Sequence, residues 1–169
     1  RPMRRPLVVM SPKWILRHKL ATSSLEELAE GSFKNVIGEQ ELAPEGVKRV
    51  VLCSGKVYYH LLEARMEGQQ QDVALVRLEQ LYPFPEDELK TALAPFSNLS
   101  EVVWCQEEPM NQGAWYSSQH HMRRVLHDLN PDLYLSYVGR DASAAPAAGY
   151  MSIHLEEQTR FINEALTVE

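Results

Sequence analysis

The stretch that organises this chain reads Glu101-Val-Val-Trp-Cys-Gln-Glu-Glu-Pro-Met-Asn-Gln-Gly-Ala-Trp115. The apolar run Val102–Cys105 predicts a buried strand, and Gln106–Pro109 predicts a polar turn after it. Asn111–Gly113 then predicts the opening of a helix. Ligands and partner surfaces meet an open parallel sheet at the carboxyl ends of its strands, so this turn marks a candidate site.

Two adjacent carboxylates, Glu107 and Glu108, stand at that turn. They are interpreted as caps of helix N–H groups, as partners of a basic residue across a subunit contact, or as a catalytic acid and base. Neighbours on an extended segment point apart, which favours the structural or interface roles over catalysis. The predicted interface residues are Glu107, Glu108, Asn111, Gln112 and Trp115.

Composition narrows the class of protein. A chain of 169 residues fits one domain with a substantial core. Its net charge of -6 argues against binding to nucleic acid or to an anionic membrane, and no apolar run approaches the roughly 20 residues of a spanning helix. Cys53 and Cys105 both lie in apolar runs, which indicates buried free thiols in a reducing cytoplasm and no metal site.

Short apolar runs alternate with amphipathic stretches along the chain, which predicts an α/β fold of three layers with a mostly parallel sheet flanked by helices. Residues 32–46 are polar and predict a surface excursion. The predicted strands are Leu7–Met10, Arg49–Cys53, Val73–Leu78, Val102–Cys105 and Leu133–Val138. The predicted helices are Leu25–Glu30, Val57–Arg65, Glu86–Leu93, Gln112–Leu129 and Ser152–Val168, the last with His154, Glu156, Glu157 and Arg160 facing solvent.

Two basic groups are candidates for anion binding. Ser54-Gly55-Lys56 lies between a predicted strand and helix, where a phosphate would meet helix N–H groups, but it lacks the longer glycine-rich loop. A plain cap by Ser54 with a tight glycine turn is therefore favoured. Lys13 and Arg17-His18-Lys19 form a local basic cluster for which a solvated or subunit-facing role is favoured. No residues in the sequence form a self-contained catalytic set.

Several long segments resemble, in the same order, the carboxy-terminal region of the thiamine-dependent 2-oxoglutarate dehydrogenase component, in its bacterial form. They include Arg4-Arg-Pro-Leu-Val-Val-Met-Ser-Pro-Lys13, Cys53-Ser-Gly-Lys-Val-Tyr-Tyr59, Arg77-Leu-Glu-Gln-Leu-Tyr-Pro-Phe-Pro85, Trp104-Cys-Gln-Glu-Glu-Pro109 and Tyr137-Val-Gly-Arg-Asp141. The resemblance covers nearly the whole chain.

This resemblance implies a transketolase-type carboxy-terminal domain over residues 1–169, part of a longer polypeptide, that helps to build a homodimer. The parent enzyme of the tricarboxylic acid cycle would decarboxylate 2-oxoglutarate with thiamine diphosphate and Mg²⁺, held by its other domains. Its partners would be dihydrolipoyl succinyltransferase and dihydrolipoyl dehydrogenase, in a bacterial cytoplasm. The family's Gly-Asp-Gly signature is missing from the sequence, so the chain alone is predicted to be inactive, with no catalytic or metal residues.

Some relatives in this family bind a nucleotide or acetyl-CoA near this region. Cationic and amide groups beside predicted helix starts suit phosphate, which makes Lys13, Arg17, Lys56, Gln112 and Arg140 candidate effector ligands. The alternative to an enzyme domain is a standalone module that senses a nucleotide or an acyl-CoA.

Overall fold

The computed structural model describes residues 4–168, and the chain divides into two compact units, Arg1–Ser32 and Phe33–Glu169. In the first unit, a 3-10 helix at Ile15–Arg17 precedes helix α1, Leu25–Glu30. The Ser24 hydroxyl accepts from the Glu27 N–H at 3.1 Å, and the Glu27 carboxylate accepts from the Ser24 N–H at 3.3 Å. These two bonds form a capping box, which satisfies N–H groups at the start of α1.

The prediction of a strand at Leu7–Met10 is wrong for this structure, where the segment is irregular. Its side chains are 68–91% exposed. A strand needs a neighbour for its N–H and C=O groups, and the described part of the first unit, residues 4–32, contains no other strand. One domain over residues 1–169 stays a prediction, and each unit is described by itself.

The second unit is built on a five-stranded sheet. The strands are β1 Val36–Ile37, β2 Arg49–Cys53, β3 Val73–Leu78, β4 Glu101–Pro109 and β5 Leu135–Arg140. Their order in the sheet is β1-β3-β2-β4-β5. Strand β1 is antiparallel to β3, and the other neighbours are parallel, which confirms the predicted mostly parallel α/β sheet. The helices are α2 Val57–Glu67, α3 Glu86–Leu93, α4 Trp115–Leu129 and α5 Met151–Leu166, with a 3-10 helix at Pro44–Gly46.

Helices cover both faces of this sheet, as the three-layer prediction requires. Helices α3 and α4 contact each other, as do α2 and α5. Along β2 every residue is buried, with Val50 and Leu52 in the cluster that includes Leu89 of α3 and Met122 of α4. Successive strand residues point to opposite faces, so the continuous apolar run of β2 fits a strand covered on both sides.

Two element boundaries differ from the predictions around the organising stretch. Strand β4 continues through Gln106 to Pro109, where a polar turn was expected. Helix α4 begins at Trp115 because Gly113, at φ +62°, and the bond from the Gln112 N–H to the Pro109 carbonyl at 2.8 Å form a turn first. The Ser54 cap of α2 is also wrong, since Lys56 occupies the N-cap without a side-chain bond, although Gly55 makes the expected tight turn at φ +75°.

A buried ion pair fixes the excursion at residues 33–46 against the sheet. The Arg65 guanidinium donates to Glu39 at 2.5 Å and to Glu41 at 2.9 Å, and the Leu75 N–H donates to Glu39 at 2.8 Å. Burial alone would raise the pKa of Glu39, but the bonds from Arg65 and Leu75 outweigh it, so this pKa lies below its usual value.

We expect Arg65→Ala to lower the free energy of unfolding by about 3 kcal/mol, because it leaves the Glu39 carboxylate, 5% exposed, without its charge partner. Chemical denaturation at pH 7 measures the loss. Arg124→Ala is the control, since Arg124 is 58% exposed, pairs with Glu86 at 3.4 Å on the surface, and its loss should cost under about 1 kcal/mol.

The contribution of Glu39 to the stability of the fold depends on pH in a defined range. The carboxyl has a lower pKa in the folded chain than in the unfolded chain. Its stabilisation is therefore complete above the usual carboxyl pKa of 4.5 and is lost as the pH falls through the lower folded pKa. Glu39→Gln should therefore flatten the decline of stability below pH 4.5. An unchanged slope would contradict this assignment.

Candidate functional site

Three of the residues singled out from sequence meet at the carboxyl edge of the sheet. Lys56 follows β2, Glu107 lies on the neighbouring β4, and Arg140 ends β5 on the other side of β4. Lys56 Nζ forms an ion pair with the Glu107 carboxylate, and Arg140 Nη1 donates to the Glu107 carbonyl at 3.0 Å. Side chains of this chain therefore occupy the edge where an open sheet ordinarily meets a ligand.

Helix α5 supplies the other contacts of the Arg140 guanidinium. Its Nε lies 2.8 Å from a Glu157 carboxylate oxygen, and its Nη2 lies 2.9 Å from His154 Nδ1. The guanidinium carbon is 5.7 Å from the centre of the Phe161 ring. The expectation that His154 and Glu157 only face solvent is wrong, because a helix pattern does not reveal a buried cation on a neighbouring strand.

Gln106 is the residue that sequence reasoning missed. Its side chain is buried, and its Oε1 accepts from Trp104 Nε1 at 2.9 Å and from the Trp115 N–H at 3.0 Å. Its Nε2 reaches the carbonyls of Gln112 at 2.8 Å and Pro109 at 3.0 Å. This one amide therefore connects β4, the turn at residues 109–113 and the start of α4.

The signal for Gln106 was present but ambiguous. An amide side chain between Cys105 and two glutamates is typical of the start of a polar turn, and the sequence therefore predicted a turn there. The two tryptophans at 104 and 115 indicated a buried environment, and indole N–H groups need acceptors when buried. A buried amide can satisfy an indole donor and turn carbonyls together, and that pairing depends on tertiary structure.

The adjacent glutamates point apart, as the extended backbone predicted. The Glu107 carboxylate pairs with Lys56, whereas Glu108 is exposed and its carbonyl accepts from Tyr137 Oη at 3.4 Å. The basic partner of Glu107 lies in the same chain. The two carboxylates do not face a common point, so this geometry does not form an acid and base pair.

The other predicted interface residues make contacts within the second unit. Asn111 Nδ2 donates to the Ser143 carbonyl at 3.0 Å, and Gln112 Nε2 donates to the Ala145 carbonyl at 3.3 Å. Trp115 is buried, with its ring centre 5.2 Å from that of Tyr137. Asn111 and Gln112 thus tie the loop after β5 to the turn after β4, and a role of these residues in a subunit interface stays a prediction.

The effector candidates divide between the two units. Lys13 and Arg17 belong to the first unit and are exposed, Arg17 at the end of its 3-10 helix. Lys56, Gln112 and Arg140 belong to the second unit and take part in the contacts described above. Among the second set, Arg140 is 6% exposed and acts as a structural tie.

Burial raises the pKa values of three ionisable groups near this edge. Cys53 and Cys105 are free and buried, which confirms the prediction of buried free thiols. Burial raises the pKa of Cys53 to about 12 and that of Cys105 well above its usual value. Burial also raises the pKa of Tyr137, so its phenol stays a hydrogen-bond donor to the Arg140 carbonyl at 3.0 Å.

Across residues 4–168, no three His, Cys, Asp or Glu side chains lie close enough together to hold a metal ion. The described residues therefore contain no cluster of three such ligands for the Mg²⁺ that the resemblance implies. The helices in this same range are each too short or too polar to cross a bilayer.

Comparisons with known proteins agree with this description. The family described as 2-oxoglutarate dehydrogenase C-terminal matches residues 22–166. The chain is 59% identical over 169 residues to the 2-oxoglutarate dehydrogenase E1 component of Azotobacter vinelandii, and 55% identical over 168 residues to that of Haemophilus influenzae. Each alignment covers 99% of this chain and 18% of the relative. A solved split gene transketolase, described as an inactive beta4 tetramer, matches with a TM-score of 0.48 and 20% identity over 75% of this chain and 41% of its own.

The mostly parallel sheet with its internally paired carboxyl edge defines an α/β domain whose own side chains fill the usual ligand position. The chain belongs to the 2-oxoglutarate dehydrogenase C-terminal family. It spans about a fifth of the length of the curated relatives it matches.

We expect Gln106→Ala to lower the free energy of unfolding of the purified chain by about 3 kcal/mol, because it leaves Trp104 Nε1 and the turn carbonyls without partners. Urea denaturation measures this loss. Gln112→Ala is the matched control, since its amide contacts an exposed loop and should cost about 1 kcal/mol or less. Equal losses for the two variants would contradict the role given to Gln106.

Proposed function

We propose that this chain is the carboxy-terminal scaffold domain of a 2-oxoglutarate dehydrogenase E1 component. The observation that carries the proposal is the 59% identity to such a component along 99% of the chain. The parent protein would oxidatively decarboxylate 2-oxoglutarate in the tricarboxylic acid cycle and pass the succinyl group to a lipoyl arm. We set aside the alternative of a standalone sensing module, because the chain aligns to 18% of the length of relatives that are both named 2-oxoglutarate dehydrogenase E1 component.

The chemistry of the parent would be supplied by other parts of the polypeptide. Thiamine diphosphate, when bound there, would supply a nucleophilic carbon and a thiazolium ring that accepts the electron pair released by decarboxylation. The residues described here are proposed to take no step in that chemistry. Their contribution would be mechanical, since Gln106, the Lys56–Glu107 pair and Arg140 hold the strand ends in one arrangement.

The assembly around this domain follows from the same proposal. The parent would be a homodimer in a bacterial cytoplasm and would work with dihydrolipoyl succinyltransferase and dihydrolipoyl dehydrogenase. The relatives are named as E1 components, which supports a place in a multienzyme complex. Tyr150, at the N-cap of α5, and Met151, its first residue, are 73% and 70% exposed, which suits burial against another domain or subunit.

The natural full-length polypeptide should reduce an artificial electron acceptor in a manner that depends on 2-oxoglutarate, thiamine diphosphate and Mg²⁺. The 169-residue chain at equal molar concentration should show no turnover above a blank without 2-oxoglutarate. Acceptor reduction followed by absorbance measures both. Turnover by the chain alone would contradict the scaffold role, and an inactive full-length polypeptide would contradict the assignment of the parent.

The effector candidates stay a proposal for each unit by itself. A ligand with phosphate groups, such as a nucleotide or acetyl-CoA, is proposed to bind either Lys13 and Arg17 of the first unit or Lys56, Gln112 and Arg140 of the second. Lys13 and Arg17 are exposed, whereas Lys56 is paired with Glu107 and Arg140 with Glu157. A phosphate would have to displace a carboxylate from Lys56 or Arg140, so the first unit offers the more accessible cations.

Arg17→Ala in the full-length polypeptide should weaken acetyl-CoA binding about tenfold, because a charged hydrogen bond to phosphate contributes about 1.5 kcal/mol. Isothermal titration calorimetry measures the affinity. Arg124→Ala is the control, since Arg124 is exposed on α4 and pairs with Glu86. An affinity unchanged by Arg17→Ala would remove Arg17 from the proposed site.

A further inference from the structure

Two segments of this chain share one pattern but have opposite surroundings. Residues 7–13 read Leu-Val-Val-Met-Ser-Pro-Lys, and residues 50–56 read Val-Val-Leu-Cys-Ser-Gly-Lys. Each has four apolar residues, a serine, a turn residue and a lysine. Each is followed by a helix, the 3-10 helix Ile15–Arg17 in one case and α2 in the other.

The second segment shows what this pattern forms when neighbours are present. Val50, Val51, Leu52 and Cys53 are all 0% exposed in the interior of the parallel sheet, and Lys56 stands at its carboxyl edge. The first segment has the same apolar run, yet Leu7 is 86% and Val8 80% exposed, Val9 68% and Met10 91%. Four consecutive apolar side chains left in water are unfavourable, because each would gain free energy from burial.

The run has the features of a strand covered on both faces. Its apolar residues are continuous, where a strand with one wet face would alternate with polar ones. Pro6 and Pro12 bracket it, and no proline interrupts residues 7–11, so each N–H between them can join a ladder. Such a strand needs a neighbour on each side, and the described residues of the first unit supply none.

Three observations indicate which part of the polypeptide supplies the neighbouring strands. The family match to the C-terminal region begins at residue 22, after the run. The alignment to the relatives nevertheless continues through 99% of the chain, so the run has a counterpart in proteins that are more than five times as long. The structure itself separates residues 1–32 from the sheet-bearing unit.

We infer that Leu7–Met10 is an interior strand of the parallel sheet of a separate domain, formed by residues that precede this chain in the full-length polypeptide. The α/β domain described here then begins after this strand, and Lys13 stands at the carboxyl edge of the other sheet as Lys56 stands at this one. The inference rests on the proposed parent protein and narrows the single-domain prediction to the residues that follow the strand.

Hydrogen exchange in the natural full-length polypeptide tests this directly. The amides of Val8, Val9 and Met10 should exchange at least about 100-fold more slowly than their intrinsic rates, as should those of Val50–Leu52, which serve as the buried reference. Weaker protection at residues 8–10 would overturn the inference. Protection that disappears on dilution to monomers would also overturn it, because a second copy would then be the cover.

A pair of variants gives an independent readout. Met10→Asp should lower the apparent Tm of the full-length polypeptide or abolish its soluble expression, because it buries a carboxylate in a sheet. Met66→Asp is the matched control, since Met66 is 50% exposed at the end of α2 and should shift Tm by roughly 1 °C or less. Equal effects of the two variants would overturn the inference.

Reduction of the electron acceptor with 2-oxoglutarate, measured on the same wild-type sample, distinguishes failure of the strand inference from failure of the proposed function. Exchange protection does not depend on catalysis. An active sample with unprotected residues 8–10 would overturn the strand and keep the proposed function. An inactive sample with protected residues would support the strand and remove the proposed function.

Discussion

The buried amide of Gln106 is the interaction on which the rest of the sheet edge depends. A primary amide offers two donors and an acceptor with two lone pairs, and burial requires that they be used. Here the acceptor takes an indole N–H and the first amide of α4, while the donors face the carbonyls at 108, 109 and 112. The direction in which α4 leaves the sheet is therefore set by one side chain of β4.

Two glycines lie at positions where a side chain would collide with atoms of Gln106. A Cβ at Gly113 would lie 3.0 Å from both polar atoms of the Gln106 amide, and φ is +62° there. A Cβ at Gly139 would lie 2.9 Å from the Gln106 carbonyl oxygen and 2.4 Å from Tyr137 Oη. Both positions need glycine for close approach, the first also for its left-handed backbone. The turn at Gly113 is therefore shaped around the side-chain amide, whereas Gly139 of β5 makes room for the Gln106 backbone and the Tyr137 hydroxyl.

Local pattern predicted the parts of the fold that local interactions determine. The bounds of β2, β3, α1 and α3 match, because an apolar run, a capping serine or an acidic first turn is complete within a few residues. The errors occur where a distant residue decides. Gln106 is polar by composition but buried by its partners, and His154 and Glu157 turn inward only because Arg140 lies on the neighbouring strand.

The candidate site could be located from sequence but not interpreted from it. Lys56, Glu107 and Arg140 do meet at the carboxyl edge, as parallel topology requires. Each cation, however, already faces an anion or carbonyl of this chain, which sequence spacing cannot show. An edge neutralised in this way has little charge left for a phosphate and gains rigidity instead, since removing either partner would strand a partly buried charge. That balance favours a scaffold role for this sheet over a ligand-binding one.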